Sequence, residues 1–265
     1  MPTLAPPRKW RAPPLRGAAP SEALARLLSA AFEQAAANVR GVLESGVAEY
    51  LHQLRVGLRR LRALLRAYRV KAKPLRRELR KLTPPLGEAR DWDVFCEWLD
   101  ASGAPSRLRV AAEERRRKAR AAARAVVGSP AFEEALRERP LRTRHVLKPG
   151  FENQILERLS RKARKAARAI DWRDPGARHE LRIRLKRLRY ACDALLKLPP
   201  ELETLQDTLG ELNDLDVAAS LLADLGGHPR LARRIAARER ALIARLPREW
   251  RAFDRRKLPA SATRA

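Results

Sequence analysis

Cysteine is almost missing from this chain: Cys96 and Cys192 are the only two in 265 residues, and neither stands in a C-x-x-C pair. That excludes a disulfide framework and a cysteine-based zinc site, and leaves two buried, reduced thiols as the expectation. Aromatic residues number 13, β-branched residues are scarce, and no segment alternates polar with apolar, so sheet has no support. No apolar run reaches the roughly 18–20 residues that a membrane-spanning helix needs. The basic N-terminal stretch has no apolar core, so no secretory leader is expected. A glycine-rich phosphate loop and a nucleophile with its base are absent as well. The expectation is an all-α, soluble, cytoplasmic protein that is not an enzyme and carries no cofactor.

Positive charge is what the chain has in excess. Fifty-eight Lys and Arg against 31 Asp and Glu leave a net +27, with Arg outnumbering Lys 47 to 11. A GC-rich codon bias explains arginine over lysine but not the surplus, because aspartate and glutamate also have GC-rich codons. A surplus of this size repels itself unless anions neutralise it, so it speaks to partners and not to fold. Nucleic acid, an anionic membrane surface and inorganic phosphate polymers all qualify.

Between residues 21 and 256 nearly everything is rich in Ala, Leu, Arg and Glu and reads as helix. Residues 1–20 hold six of the 19 prolines and read as a disordered basic tail, and 257–265 as a second tail. Breakers set joints at Gly46, Pro74, Pro84-Pro85, Gly103 to Pro105, Gly128 to Pro130, Pro140, Pro149-Gly150, Pro175-Gly176, Pro199-Pro200, Gly226-Gly227 and Pro229. They delimit about ten helices, the long ones near 21–44, 48–70, 106–127, 151–170, 177–197 and 229–246.

The chain is internally repeated. HQLRVGLRRLR (His52 to Arg62) and HELRIRLKRLR (His179 to Arg189) both fit H-x-x-R-x-x-x-[RK]-R-x-R, 127 positions apart. Downstream, LGEARDWDV (Leu86 to Val94) parallels LGELNDLDV (Leu209 to Val217) at an offset of 123. Two similar helical-bundle halves follow, about 21–139 and 150–256, joined by a linker from Arg139 to Gly150 and related by a pseudo-twofold axis.

On a helix, His52, Arg55, Arg59, Arg62 and Arg66 fall within an arc of about 80°, beside a leucine line of Leu54, Leu58, Leu61 and Leu65. His179, Arg182, Lys186 and Arg189 repeat the pattern beside Leu181, Leu185, Leu188 and Cys192, while Arg60 and Arg187 project toward the flank. Like charges at these spacings repel, and the only acid on either arc is Asp193. Arginine suits phosphate because its planar fork donates paired hydrogen bonds and does not deprotonate. The stripes are therefore expected to converge on one basic channel or patch. Arg90 and the run Arg158, Arg161, Arg164, Lys165 and Arg168 are expected to extend that groove. The run from Arg115 to Lys118 interleaves with Glu113 and Glu114 and reads as a solvated face.

A metal centre is the rival reading for the histidines, but no carboxylate or cysteine stands at ligand spacing, so none is expected. The couplets Asp91-x-Asp93 and Asp214-x-Asp216 raise a magnesium-dependent phosphate-processing enzyme as an alternative. Residues two apart on a helix do not share a face. Helix N-capping and ion pairs to the arginines explain the couplets better, as structural elements. Nucleic acid is the alternative polyanion, disfavoured by the shortage of stacking aromatics.

The two motifs, each repeated in order, resemble the CHAD family (conserved histidine α-helical domain), and the resemblance spans roughly residues 21–256. It implies an all-α fold of two bundle-like halves around a basic central channel or patch. It also implies binding of inorganic polyphosphate and association with polyphosphate granules, without a membrane. The carried-over binding positions are His52, Arg55, Arg59, Arg62, His179, Arg182, Lys186 and Arg189. Pro84-Pro85 departs from the second half, where Leu205 to Leu212 reads as unbroken helix, so a kink is expected there. The E-x-E-x-K mark of the triphosphate-tunnel domain that often accompanies the family is absent, so no attached triphosphatase is expected.

Overall fold

The structure, a computed structural model, describes residues 4–15, 17–137, 151–195 and 198–256. Among them the chain is all-α, with nine helices: α1 (Pro20–Glu44), α2 (Ala48–Ala67), α3 (Lys73–Ala101), α4 (Ser106–Val127), α5 (Pro130–Arg137), α6 (Phe151–Ala167), α7 (Pro175–Leu195), α8 (Pro200–Asp224) and α9 (Pro229–Arg255). The expected Arg139 to Gly150 linker and 257–265 tail lie outside the described residues. The helices form two compact units, one holding α1 to α5 and the other α6 to α9; residues 101–104 group with the second.

Proline and glycine punctuate the chain where the sequence places them. Pro20, Pro200 and Pro229 open helices at the first turn, where the missing N–H has no intrahelical partner to lose. Helix α2 stops three residues earlier than the 48–70 expected from periodicity. Arg69 takes a left-handed φ of 52°, and the Val70 amide closes back on the Leu65 carbonyl at 2.9 Å. This is the turn that usually employs glycine, here forced on an arginine.

Pro84 and Pro85 are not a joint. Helix α3 runs through both, although each removes an amide donor from the ladder. Buried Leu75 and Leu79 before them and Leu86 and Ala89 after them hold the helix on both sides. The Thr83 hydroxyl donates to the Leu79 carbonyl at 2.7 Å in between. Pro247 is likewise inside α9, which continues to Arg255 and not to 246 as periodicity suggested.

In the first unit α1 packs along α2. Leu24, Leu27, Leu28, Ala31 and Ala35 meet the leucine line Leu51, Leu54, Leu58, Leu61 and Leu65, all buried. Gly57 is what lets the backbones approach: a Cβ there would lie 2.8 Å from the Ala35 amide nitrogen and 3.1 Å from the Ala31 carbonyl oxygen. Ordinarily Gly→Ala favours a helix by about 1 kcal/mol; here the neighbouring backbone cannot yield. The buried Gln34 side-chain amide donates to Gln53 Oε1 at 2.8 Å, and Gln53 Nε2 donates in turn to Glu49 at 2.7 Å.

Residues 4–15, expected to be a disordered tail, are an ordered strap without helix. Asn38 accepts from the Arg8 amide at 3.1 Å and donates to its carbonyl at 3.0 Å. The Tyr50 hydroxyl donates to the Ala5 carbonyl at 2.8 Å. Low-complexity proline content misled the reading, because partners for the strap come from residues 25 to 45 positions away.

In the second unit α6 packs on α7, α7 on α8 and α8 on α9. The core is built from Leu181, Leu185, Leu188 and Cys192 of α7 with leucines of α8 and the apolar line of α9. Both cysteines are buried and free, and burial above all raises the Cys96 thiol to about 11, leaving it inert near neutral pH.

Candidate anion-binding site

Helix α2 turns its leucines inward, and that leaves the basic arc on its flank beside α3. Arg55 donates to the Gly87 carbonyl at 2.8 Å and stands 3.8 Å from the Asp91 carboxylate. Arg62 donates to the Thr83 hydroxyl at 3.3 Å. Arg59 and Arg66 are exposed and His52 is half-buried. These contacts aim the Arg55 and Arg62 forks.

At the far end of the stripe, Arg62 and Arg66 line an open hollow of about 350 Å³ together with Lys73, Arg76, Arg77 and Arg80 of α3. All six lining residues are basic. Among the described residues, no carboxylate pairs with Arg62, Arg66, Lys73, Arg76 or Arg80, while Arg77 reaches Glu78 at 3.4 Å. Partial burial, followed by Arg66 and Arg80, lowers the proton affinity of Arg62, the mark of a cation held among cations. The four α3 residues escaped the sequence reading. Their spacing, K-x-x-R-R-x-x-R, was a helical signal, but it has no counterpart in the repeat and stands just before two prolines.

The second half is built alike but charged differently. His179 lies with Nδ1 3.2 Å from Asn213 Oδ1. Arg189 donates to Gln206 at 3.5 Å, as Arg62 does to Thr83, and comes within 4.0 Å of Glu203. At the motif offset of 123, Gln206 replaces Thr83 and Glu203 replaces Arg80. Arg182, Lys186 and Arg187 are half-buried along α7.

Two expected members are engaged within the protein. Arg60 is buried, 6% exposed, with its guanidinium 4.0 Å over the Trp10 ring, so the strap covers it. Arg164 donates to the carbonyls of Asp254 and Arg256 at 2.8 and 3.0 Å and pairs with the Asp254 carboxylate, tying α6 to the end of α9. On α6 Arg158 is half-buried and Arg161 and Lys165 are exposed, away from the buried Ile155, Leu159 and Ala163, while Arg168 is exposed just past the end of the helix. Arg90 stands beside His52 and 3.7 Å from Glu97.

The aspartate couplets do not cap helices; all four lie inside α3 or α8. Each splits as helical geometry requires. Asp91 stays near the surface by Arg55. Asp93 is fully buried and accepts from Arg120 Nε and Nη2 at 2.7 and 2.6 Å. Arg120 and Arg124 also donate to the carbonyls of Gly46, Val42 and Ser45, finishing the C-terminal end of α1. Asp214 is exposed and accepts from Asn213 at 3.4 Å. Asp216 meets the buried Arg178 at 3.2 Å, and Arg178 also pairs with Glu239 at 2.8 Å. Desolvation raises the Asp216 carboxyl, with Arg178 opposing. Among the described residues no cluster of three His, Cys, Asp or Glu could hold a metal ion.

Burial, then the charge of Arg90, pushes the His52 imidazole below its ordinary 6.5; Glu49 opposes, and Arg59 and Arg55 add smaller pushes downward. A base with a depressed folded pKa contributes stability above its unfolded value that is lost as pH falls through the folded one. His52 is therefore neutral near pH 7 in the free protein, and an anion settling among these cations reverses the push. NMR titration of the His52 ring should show a pKa below 6.5 without ligand and an upward move with saturating polyphosphate. An unmoved value would place His52 outside the site.

Paired helical units with arginine-lined helix flanks define an all-α protein built around a duplicated polycationic motif. The chain belongs to the CHAD domain family, whose sequence model matches residues 26–223. Polyphosphate binding is a known property of that family. The crystal structure of the CHAD domain from the plant Ricinus communis is similar over 96% of this chain and 98% of its own, at 30% identity and a TM-score of 0.78. PptA from Streptomyces chartreusis shares the fold over 88% of this chain and 97% of its own, at 18% identity and a TM-score of 0.67. No curated protein matches the sequence. Among the described residues no helix is long and apolar enough to cross a membrane.

Proposed function

We propose that this protein binds inorganic polyphosphate without transforming it, through the stripe of α2, the hollow that α2 forms with α3, and the stripe of α7. The observation that carries the reading is the hollow lined by six cations. Like charges held this close raise the free energy of the empty protein, and a chain with an anion on every phosphorus relieves it. Arginine forks pair with phosphate oxygens in planar, bidentate fashion. Binding without chemistry is supported by the state of the carboxylates: Asp93 and Asp216 are committed to Arg120 and Arg178. The cellular role that follows is attachment to polyphosphate granules, in a cytoplasmic protein.

The test is a titration with long-chain polyphosphate across a salt series, with duplex DNA as competitor at equal phosphate concentration. Displaced counterions should make log K fall linearly with log salt, by about 0.7 for each phosphate engaged if the polymer behaves as a single strand. DNA should fail to displace the polymer. A flat salt response, or equal displacement by DNA, overturns the reading.

A further inference from the structure

Helix α9 lies beyond the last residue of the family match, 223, and outside both repeated motifs. Its apolar line, Leu231, Ile235, Leu242, Leu246 and Phe253, is buried in the second unit. At 100° per residue, the opposite arc of about 80° holds Arg230, Arg233, Arg240, Arg248, Arg251 and Arg255, with only Ala237 and Ala244 between them. All six arginines are exposed. None of them pairs with a carboxylate among the described residues. The acids of α9 lie off the arc: Glu239 on Arg178, Glu249 on Arg245, Asp254 on Arg164.

Elsewhere some arginines are paired within their own helix: Arg26, Arg40, Arg137 and Arg184 each meet a glutamate four residues away. The α9 arc places no such glutamate, and in this it resembles Arg66 and Arg80 at the hollow. Instead Arg230 and Arg233, Arg248 and Arg251, and Arg251 and Arg255 repel at three- and four-residue spacing, each pair costing a few tenths of a kcal/mol.

We infer that the outer face of α9 is a second binding line for polyphosphate, so that one protein molecule holds more than one polymer strand. This deepens the polyphosphate reading above and rests on it. The six arginines span about 37 Å along a straight axis. A flexible single-stranded polyanion can follow that whole length, whereas a duplex curves away from a straight helix after a few contacts. The arc has no aromatic for base stacking and no amide to read a base edge. It has no apolar side chain to enter a bilayer either. A polymer with one charge per unit and no bases matches it.

Calorimetry on the full chain, with a polyphosphate whose extended length matches one helix, tests this. The Arg233→Glu, Arg240→Glu, Arg251→Glu variant should bind one strand fewer than the wild type. It should also lose at least about tenfold of the turbidity that long-chain polyphosphate produces by bridging molecules, an effect of multivalency. The matching glutamine variant, whose helix propensity is close to that of arginine, should show the same loss of stoichiometry, and circular dichroism checks that both stay folded. Unchanged stoichiometry and turbidity overturn the inference. So does a stripe variant, Arg55→Glu with Arg182→Glu, that loses all binding while α9 is intact; that result leaves the proposed function standing. Binding lost only with the α9 variant removes the stripes as the site and overturns the inference of a second line as well. Displacement from α9 by duplex DNA at equal phosphate concentration overturns the choice of partner, and a wild type that binds no polyphosphate overturns both.

Discussion

Replacing Arg62 and Arg80 together by glutamate should lower polyphosphate affinity by about a hundredfold or more, with helix content unchanged. The two residues face the same hollow from α2 and α3, where burial first, then Arg66 and Arg80, lowers the proton affinity of Arg62. A hydrogen bond to a charged group contributes about 1.5–3 kcal/mol, and reversal adds repulsion to the loss of two such bonds. The control is Arg115→Glu with Arg117→Glu on α4, which alters net charge by the same amount at two exposed positions. That pair should change affinity by no more than about threefold, through long-range field alone. Equal losses from the two pairs would mean that total charge, and not this constellation, binds the polymer.

The largest expected effect on stability belongs to Arg120→Ala, which should lower the unfolding free energy by about 3–5 kcal/mol, the usual cost of leaving one buried partner of an ion pair alone. Asp93 has no exposed surface, and both short contacts to its Oδ1 come from Arg120. The same substitution releases the Gly46 carbonyl at the end of α1. Asp93→Ala should cost less, because the Arg120 side chain is 22% exposed and can turn to water. Urea denaturation of both single variants and the double completes a cycle whose coupling term isolates the pair. A loss below about 1 kcal/mol for Arg120→Ala would show that water reaches the carboxylate and that the pair is not what holds α3 against α4.

Much of this was legible before any coordinates. Leucines at three- and four-residue steps foretold the buried faces of α2 and α7, and glycine or proline foretold most helix ends. What escaped depended on distant residues. Asp93 and Asp216 occupy matching places in the motif, yet one is satisfied by Arg120 from α4 and the other by Arg178 from α7. No local pattern announces which helix will supply the cation. The basic face of α3 was hidden by prolines that weigh heavily in propensity and lightly against burial on both sides. Arg60 matches the motif as well as Arg62 does; helical spacing already sets it on the flank, but nothing local shows that the strap covers it.

That strap carries a practical consequence for anyone engineering the molecule. Trp10 lies over Arg60, and Ala5 and Arg8 anchor to Tyr50 and Asn38. Trimming these residues, or fusing an affinity tag hard against them, would uncover a guanidinium on α2 and alter the very surface being assayed. Labels are better attached elsewhere.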